Sequence, residues 1–236
     1  MFKRMLVAVL VLIALPALGE ERLTVVELFT SQACPNCPPA HDLAEDIAAR
    51  ENVLVLSWAV DYWNFMGWED TFARPAHTER QRAYNAQLGE PGVYTPEMVI
   101  DGRVDEVGSR RAAVLDKIAR AQQDDGLRYR VDLIEHGDYC LVELFDGGVD
   151  RPVTVRAIWY SEREIVPIGS GSNRGREFVY VNVVRASREI GDWRGGRDTL
   201  KIPLDEAADY GATHLAVLLE DQSSRAILGA ARIAVP

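Results

Sequence analysis

The sequence has few cysteines, no strongly basic segment and no long hydrophobic run beyond its N-terminus. Three cysteines in 236 residues are too few for a disulfide scaffold. The formal net charge is -10, and no stripe of Lys and Arg interleaved with aromatic residues offsets it, so nucleic acid is not an expected partner. No internal repeat and no low-complexity tract is present. These absences favour an acidic globular protein.

The N-terminus has the composition of a signal peptide. Lys3 and Arg4 precede an apolar run over residues 5–15, and small residues follow at Ala17 and Gly19. The run is too short to span a bilayer comfortably, and it is apolar on every face, which disfavours the alternative of a retained amphipathic anchor. We expect residues 1–19 to be cleaved, leaving a periplasmic or secreted protein with no stable membrane span.

Strand-like and helix-like segments alternate over residues 20–125. Short apolar runs alternate with helical patterns in the order β, α, β, α, β, β, α, and Asp101-Gly102 predicts a type I′ hairpin between the last two strands. This order places a parallel pair beside an antiparallel hairpin, which is typical of thioredoxin-like topology. The first domain is therefore predicted to be an α/β thioredoxin-like domain.

The helical period disappears in residues 126–236. About seven short alternating segments, separated by Gly- and Asp-containing turns, take its place. This pattern predicts a separate all-β, sandwich-like C-terminal domain.

The chemistry is concentrated at Cys34-Pro35-Asn36-Cys37, which follows a predicted strand and opens a predicted helix. A helix N-terminus stabilises an anion, so Cys34 is the expected nucleophile. Cys37, one turn further on, is placed to resolve a mixed disulfide. The alternative is an inert disulfide, but closing so short a loop removes little chain entropy.

Residues 25–107 resemble the exported thioredoxin-like family known as domain of unknown function 1223. The resemblance is carried by VVELFTSQACPNCPPA, SWAVDYWNFMGWED, RQRAY and GVYTPEMVIDGR, and it continues through NRGREFVYVNVVR and ILGAAR in the second half. It implies a thioredoxin fold and export, but no reaction. The sequence departs from the family pattern at Ala33, His41 and Ala59, where Gly, Asp and His are more usual.

Four residues are candidates for substrate binding. In proteins of thioredoxin-like topology, a cis-proline before the hairpin faces the cysteine pair, and the residue before it offers its backbone to a substrate. Tyr94, Thr95 and Pro96 occupy this place. Trp63, in an aromatic and acidic segment after the second strand, could line a groove beside the cysteines, although core packing is the alternative.

A metal site is the main competing interpretation of the cysteines. His41 should share a helix face with Cys37, so Cys34, Cys37 and His41 could bind Cu(I) or Zn(II). No second C-x-x-C and no H-x-x-x-H completes a tetrahedral set.

The sequence therefore predicts a periplasmic thiol–disulfide oxidoreductase that acts through Cys34 and Cys37 without a cofactor. Its expected partners are cysteine-containing envelope proteins or small thiols. The alternatives are a copper or zinc metallochaperone and a non-catalytic thioredoxin-like binding module, so enzymatic activity itself stays open.

Overall fold

The computed structural model describes residues 23–124 and 129–236. The predicted signal peptide at residues 1–19 and the predicted domain boundary at residue 125 lie outside these ranges. None of the described helices is long and apolar enough to cross a membrane.

The described chain forms one large sheet, one small sheet and four α-helices. The eight strands of the large sheet run in the spatial order β11-β10-β7-β8-β2-β1-β3-β4, and the small sheet has the order β5-β6-β9. The strands are β1 (Thr24–Thr30), β2 (Val53–Ala59), β3 (Glu97–Ile100), β4 (Val104–Val107), β5 (Val131–His136), β6 (Tyr139–Leu144), β7 (Val153–Pro167), β8 (Glu177–Trp193), β9 (Asp198–Pro203), β10 (His214–Asp221) and β11 (Ile227–Ala234). The helices are α1 (Pro38–Ala48), α2 (Pro75–Leu88), α3 (Arg111–Gln123) and α4 (Glu206–Tyr210).

The predicted division into a thioredoxin-like domain and a separate β-sandwich domain is wrong. The strand β8 runs parallel to β2, so β7, β8, β10 and β11 extend the same sheet that β1 to β4 begin. Ser57 Oγ donates a hydrogen bond to the Val181 carbonyl across this junction. Only β5, β6 and β9 form a sheet of their own. The molecule is mostly β, with a mixed central sheet shared by both halves of the chain.

Local signals in the N-terminal half account for the elements that flank the site. The helix α1 begins with prolines at its first two positions, where a missing N–H is tolerated, and α2 ends at Gly89 in the left-handed conformation. Asp101 and Gly102 both have positive φ, as the predicted type I′ hairpin requires. Every residue of β1 and β2 is buried, because helices or strands cover both faces of these central strands.

Side chains alternate between the two faces of the large sheet and form separate cores. Val26 and Leu28 of β1 pack with α1 and α3 on one face, whereas Val25 and Phe29 pack with Tyr84 of α2 on the other. A third core lies between the small sheet and the C-terminal strands of the large sheet, and it contains Cys140. The fourth and smallest core encloses the other two cysteines.

Candidate functional site

Cys34 and Cys37 form a disulfide at the junction between β1 and α1. Their Cα atoms are 5.5 Å apart, and Cys37 is the residue that caps α1. Both cysteines are fully buried, whereas Pro35 and Asn36 between them are exposed. The sequence analysis placed this pair correctly along the chain, but it did not foresee that the sulfur atoms would be covered.

The first turn of α1 offers fewer hydrogen-bond donors to a Cys34 thiolate than the sequence analysis assumed. Pro38 and Pro39 have no N–H, and the N–H groups of Ala40 and His41 both donate to the Cys37 carbonyl. The helix dipole remains, but apolar burial opposes it by raising a thiol pKa.

An apolar cover encloses the disulfide. It comes from two segments that are distant in sequence, the β7–β8 hairpin and the loop between β2 and α2. The hairpin contributes Ile168, Phe178, Tyr180 and Val183, and the loop contributes Trp63, Trp68, Phe72 and Ala73.

Buried hydrogen bonds tie the hairpin to the cysteine loop. Asn173, at the hairpin tip, is buried, and its Nδ2 donates to the carbonyls of Gln32 at 2.9 Å and Cys34 at 2.8 Å. Trp68 Nε1 donates to Gln32 Oε1 at 2.7 Å, and Ser170 Oγ donates to the Gly67 carbonyl at 2.6 Å. The cover is therefore held by specific polar contacts as well as by apolar packing.

Asp70 joins all three segments of the site. Its Oδ2 accepts hydrogen bonds from the Gln32 N–H at 2.7 Å and from Tyr180 Oη at 2.6 Å, and its Oδ1 accepts one from the Phe72 N–H at 2.9 Å. Burial raises the pKa of Asp70, although these three donors oppose the shift. Burial and the nearby Asp70 carboxylate hold the pKa of Tyr180 well above its usual value, so Tyr180 keeps its proton and donates it.

His41 lies under the β7–β8 hairpin. Its Nδ1 is 3.0 Å from the Val179 carbonyl, which can only accept, so this nitrogen carries the proton, and Nε2 lies 2.8 Å from Thr30 Oγ1. Burial lowers the pKa of His41 to about 4, against the opposing effect of its hydrogen bond to the Val179 carbonyl, so the ring is neutral near pH 7.

The metal alternative gains no support from this arrangement. Both ring nitrogens of His41 already have partners, and the two cysteine sulfurs are bonded to each other. Across residues 23–124 and 129–236, no three His, Cys, Asp or Glu side chains are placed to hold one ion.

The Thr95–Pro96 peptide bond is cis, as the sequence analysis predicted. Gly108 lies between this proline and the first turn of α1. A Cβ built on Gly108 would be 3.3 Å from Cβ of Pro96 and 3.2 Å from Cβ of Ala40, so the proline is close to that turn. Trp63 connects this segment to the disulfide, because its indole packs in the cover and its Nε1 donates to Thr95 Oγ1 at 2.7 Å.

Tyr94 forms hydrogen bonds with residues of β4 and α2. Its hydroxyl donates to Asp105 Oδ2 at 2.6 Å, and its carbonyl accepts a hydrogen bond from Gln81 Nε2 at 2.6 Å. Its substrate-binding role therefore stays a prediction with no contact to support it. Cys140 is free and buried in the core beneath the small sheet, apart from the disulfide.

The sequence analysis missed most of the cover. Phe178 and Tyr180 are two residues apart on one strand and therefore project to the same face, and this spacing was a usable signal. Asn173 was not among the predicted site residues, although its two hydrogen bonds hold the hairpin tip to the cysteine loop.

Three comparisons place the chain among known proteins. A family model described as "Protein of unknown function (DUF1223)" matches residues 25–220. A crystal structure of a protein from Agrobacterium tumefaciens is similar at a TM-score of 0.79 and 31% identity, over 91% of this chain and 96% of that chain. HBP35 of Porphyromonas gingivalis shares the fold at a TM-score of 0.62 and 15% identity, over 91% of this chain and 76% of that chain. A search of curated proteins gave no match.

Proposed function

Since this chain belongs to DUF1223, a family whose name leaves its function open, we propose on chemical grounds that it is a thiol–disulfide oxidoreductase. The observation that carries the proposal is the Cys34–Cys37 disulfide at a strand-to-helix junction, where Pro96 lies beside the first helical turn. A short-loop disulfide contributes little stability, so a structural reason for it is weak. We further propose that residues 1–19 direct export to the periplasm, where a disulfide persists.

The exchange runs through Cys34. In the oxidised protein, a partner thiolate attacks Cys34 Sγ, the Cys34–Cys37 bond breaks, and Cys37 leaves as a thiolate. A second thiolate of the partner then attacks the partner sulfur, which releases the Cys34 thiolate and leaves the partner oxidised. Two electrons pass from a dithiol partner to the cysteine pair, and the reverse sequence oxidises the pair again at the expense of a partner disulfide.

The cover must move before this chemistry can begin, because no partner sulfur can reach a fully buried disulfide. Most residues of the hairpin tip from Gly169 to Glu177 are exposed. Within the tip only Asn173 is buried, and Ile168, just before it, is buried against the disulfide. Moving the tip breaks the two Asn173 hydrogen bonds and the Ser170 contact to Gly67. Thr95, next to the cis-proline, would then be positioned to receive the partner backbone.

Trapping of partners in cells tests this proposal. In a Cys140→Ala background, Cys37→Ser should accumulate envelope proteins as mixed disulfides through Cys34, because no resolving thiol remains. Cys34→Ser is the matched control and should trap few, since Cys34 is the proposed nucleophile and Cys37, at the helix cap, is the resolving thiol. Negligible and equal trapping by both variants, in cells with normal disulfide formation, would rule the proposal out.

A second candidate is favoured by the complete burial of both cysteines. In this case the protein is a non-catalytic binding module, and the disulfide only fixes the turn between β1 and α1. The two candidates differ in the reduction of the native protein, since an inert disulfide is reduced only when the whole fold opens.

A further inference from the structure

A cavity of about 460 Å³ lies between α2 and the strands β7 and β8. Five arginines line it, although the whole chain carries a net charge of -10. They are Arg74, Arg80, Arg156, Arg185 and Arg225. So many cations at one cavity run against the charge of the rest of the molecule, which indicates a specific anion partner.

The five arginines differ in whether their charge is already balanced. Arg80 pairs with Glu27 and Glu220, and Arg156 pairs with Glu220 and Glu189. These two residues form the charged floor of the cavity.

The other three arginines form at most a loose ion pair with a carboxylate of the described residues. Arg185 donates to the Tyr210 carbonyl and lies 3.5 Å from Glu164, which is a loose ion pair. Within the described residues, neither Arg74 nor Arg225 makes a side-chain hydrogen bond or an ion pair. Glu79, the acidic residue of the lining, pairs with Arg82 outside the cavity.

Trp58 supplies an independent observation. It lines the same cavity and is 1% exposed, yet its indole Nε1 has no acceptor among the described residues. A buried indole N–H nearly always donates a hydrogen bond, so an acceptor atom is missing. Because this nitrogen is itself buried, a ligand oxygen accepts from it only when the side chains around it shift.

We propose that this cavity binds a small organic oxyanion, either a phosphate ester or a polycarboxylate. Arginine forks bind either group through two parallel hydrogen bonds, and the cavity volume suits a metabolite-sized molecule. Arg74 and Arg225 hold the oxyanion, Trp58 donates to one of its oxygens, and Ala76, Ala83 and Ala186 contact its carbon skeleton.

Titration calorimetry at low salt tests the site with inorganic phosphate, pyrophosphate and citrate as probes. Pyrophosphate or citrate should bind one to one, and the tighter of the two identifies the ligand class. Arg74→Gln combined with Arg225→Gln should weaken binding at least about tenfold, because two charge-assisted contacts are lost. Trp58→Phe, which keeps an aromatic side chain but removes the indole N–H together with its five-membered ring, should weaken binding about fivefold.

The matched control is Arg110→Gln combined with Arg120→Gln, which removes the same charge from exposed positions at and near α3. It should leave the affinity within about twofold of the parent, since exposed and distant charges are screened. Absence of saturable binding for all three probes would overturn the proposal. Equal weakening by the two double variants would overturn it too, because the attraction would then be nonspecific.

Discussion

Buried carboxyl groups are balanced in two different ways in this molecule. On the α2 face, Glu27 and Glu220 receive charge-assisted hydrogen bonds from Arg80 at 2.7 and 2.6 Å. Asp70, near the disulfide, and Glu97, on β3, accept hydrogen bonds only from uncharged donors among the described residues. Charge pairs thus hold Glu27 and Glu220, whereas weaker, neutral contacts hold Asp70 and Glu97.

The pKa values follow this difference. Burial would raise the pKa of Glu220, but the neighbouring Arg80 and Arg156 lower it. Burial raises the pKa of Glu97 to about 8, with Asp105 adding to the shift. Regions held by weak contacts open first in folded proteins, so the neutral contacts around Asp70 suit a moving cover.

Removing the cation of the charged cluster should have the largest effect on stability. Arg80→Met leaves Glu27 and Glu220 buried without that partner, and breaking a buried pair in this way costs about 3–5 kcal/mol. Urea unfolding measures the loss. Arg82→Met, on an exposed side of the same helix, should change stability by less than about 0.5 kcal/mol. A loss below about 1 kcal/mol for Arg80→Met would mean that charge pairing does not hold this face.

The burial of Glu97 without a cationic partner should appear in the pH dependence of stability. Glu97 keeps its proton up to about pH 8 in the folded protein, whereas the unfolded chain releases it near its usual value of 4.5. Rising pH between these values therefore favours unfolding, with a slope of up to about 1.4 kcal/mol per pH unit.

Glu97→Gln removes this titration but keeps a neutral side chain at the position. The unfolding free energy of the variant should gain on that of the parent as pH rises from 5 to 8. Denaturant unfolding at several pH values within this window checks the effect. Parallel profiles for the two proteins would contradict the assignment of a raised pKa to Glu97.

The smallest effect is expected at the third cysteine. Cys140 lies in the core beneath the small sheet, and Cys140→Ala should cost only about 1 kcal/mol by unfolding. The rate at which the Cys34–Cys37 disulfide is reduced should stay unchanged. A faster or slower reduction in this variant would mean that the core around Cys140 and the core around the disulfide are coupled.

Sequence patterns predicted the elements whose signals are local. Proline and glycine mark the ends of α2, Asp101-Gly102 marks the hairpin, and the position of Pro96 before that hairpin led to the cis bond. The predicted fold was wrong because the strand pairing that decides it, between β2 and β8, joins segments that are distant in sequence. The Ser57 hydrogen bond to Val181 joins residues 124 positions apart, and nothing in either strand identifies the other as its neighbour.

The candidate site was predicted only in its sequence-contiguous part. The C-x-x-C spacing identified Cys34 and Cys37, but the segment that covers them enters through the unforeseen pairing of β8 with β2. A fold of two separate domains would have left the disulfide at a surface. The same error hid the roles of Asn173 and Tyr180, which reach the site only because both halves share one sheet.

The rate of disulfide reduction in the native protein tests most directly whether the covered Cys34–Cys37 disulfide takes part in exchange. Reduction by dithiothreitol, followed by alkylation and mass analysis, should reach a plateau rate at high reductant, because opening of the cover then limits the reaction. Asn173→Ala should raise that rate about tenfold through loss of two buried hydrogen bonds, while Asn52→Ala, in the turn after α1, should not. A rate that rises linearly with reductant and is the same in all three proteins would contradict the account.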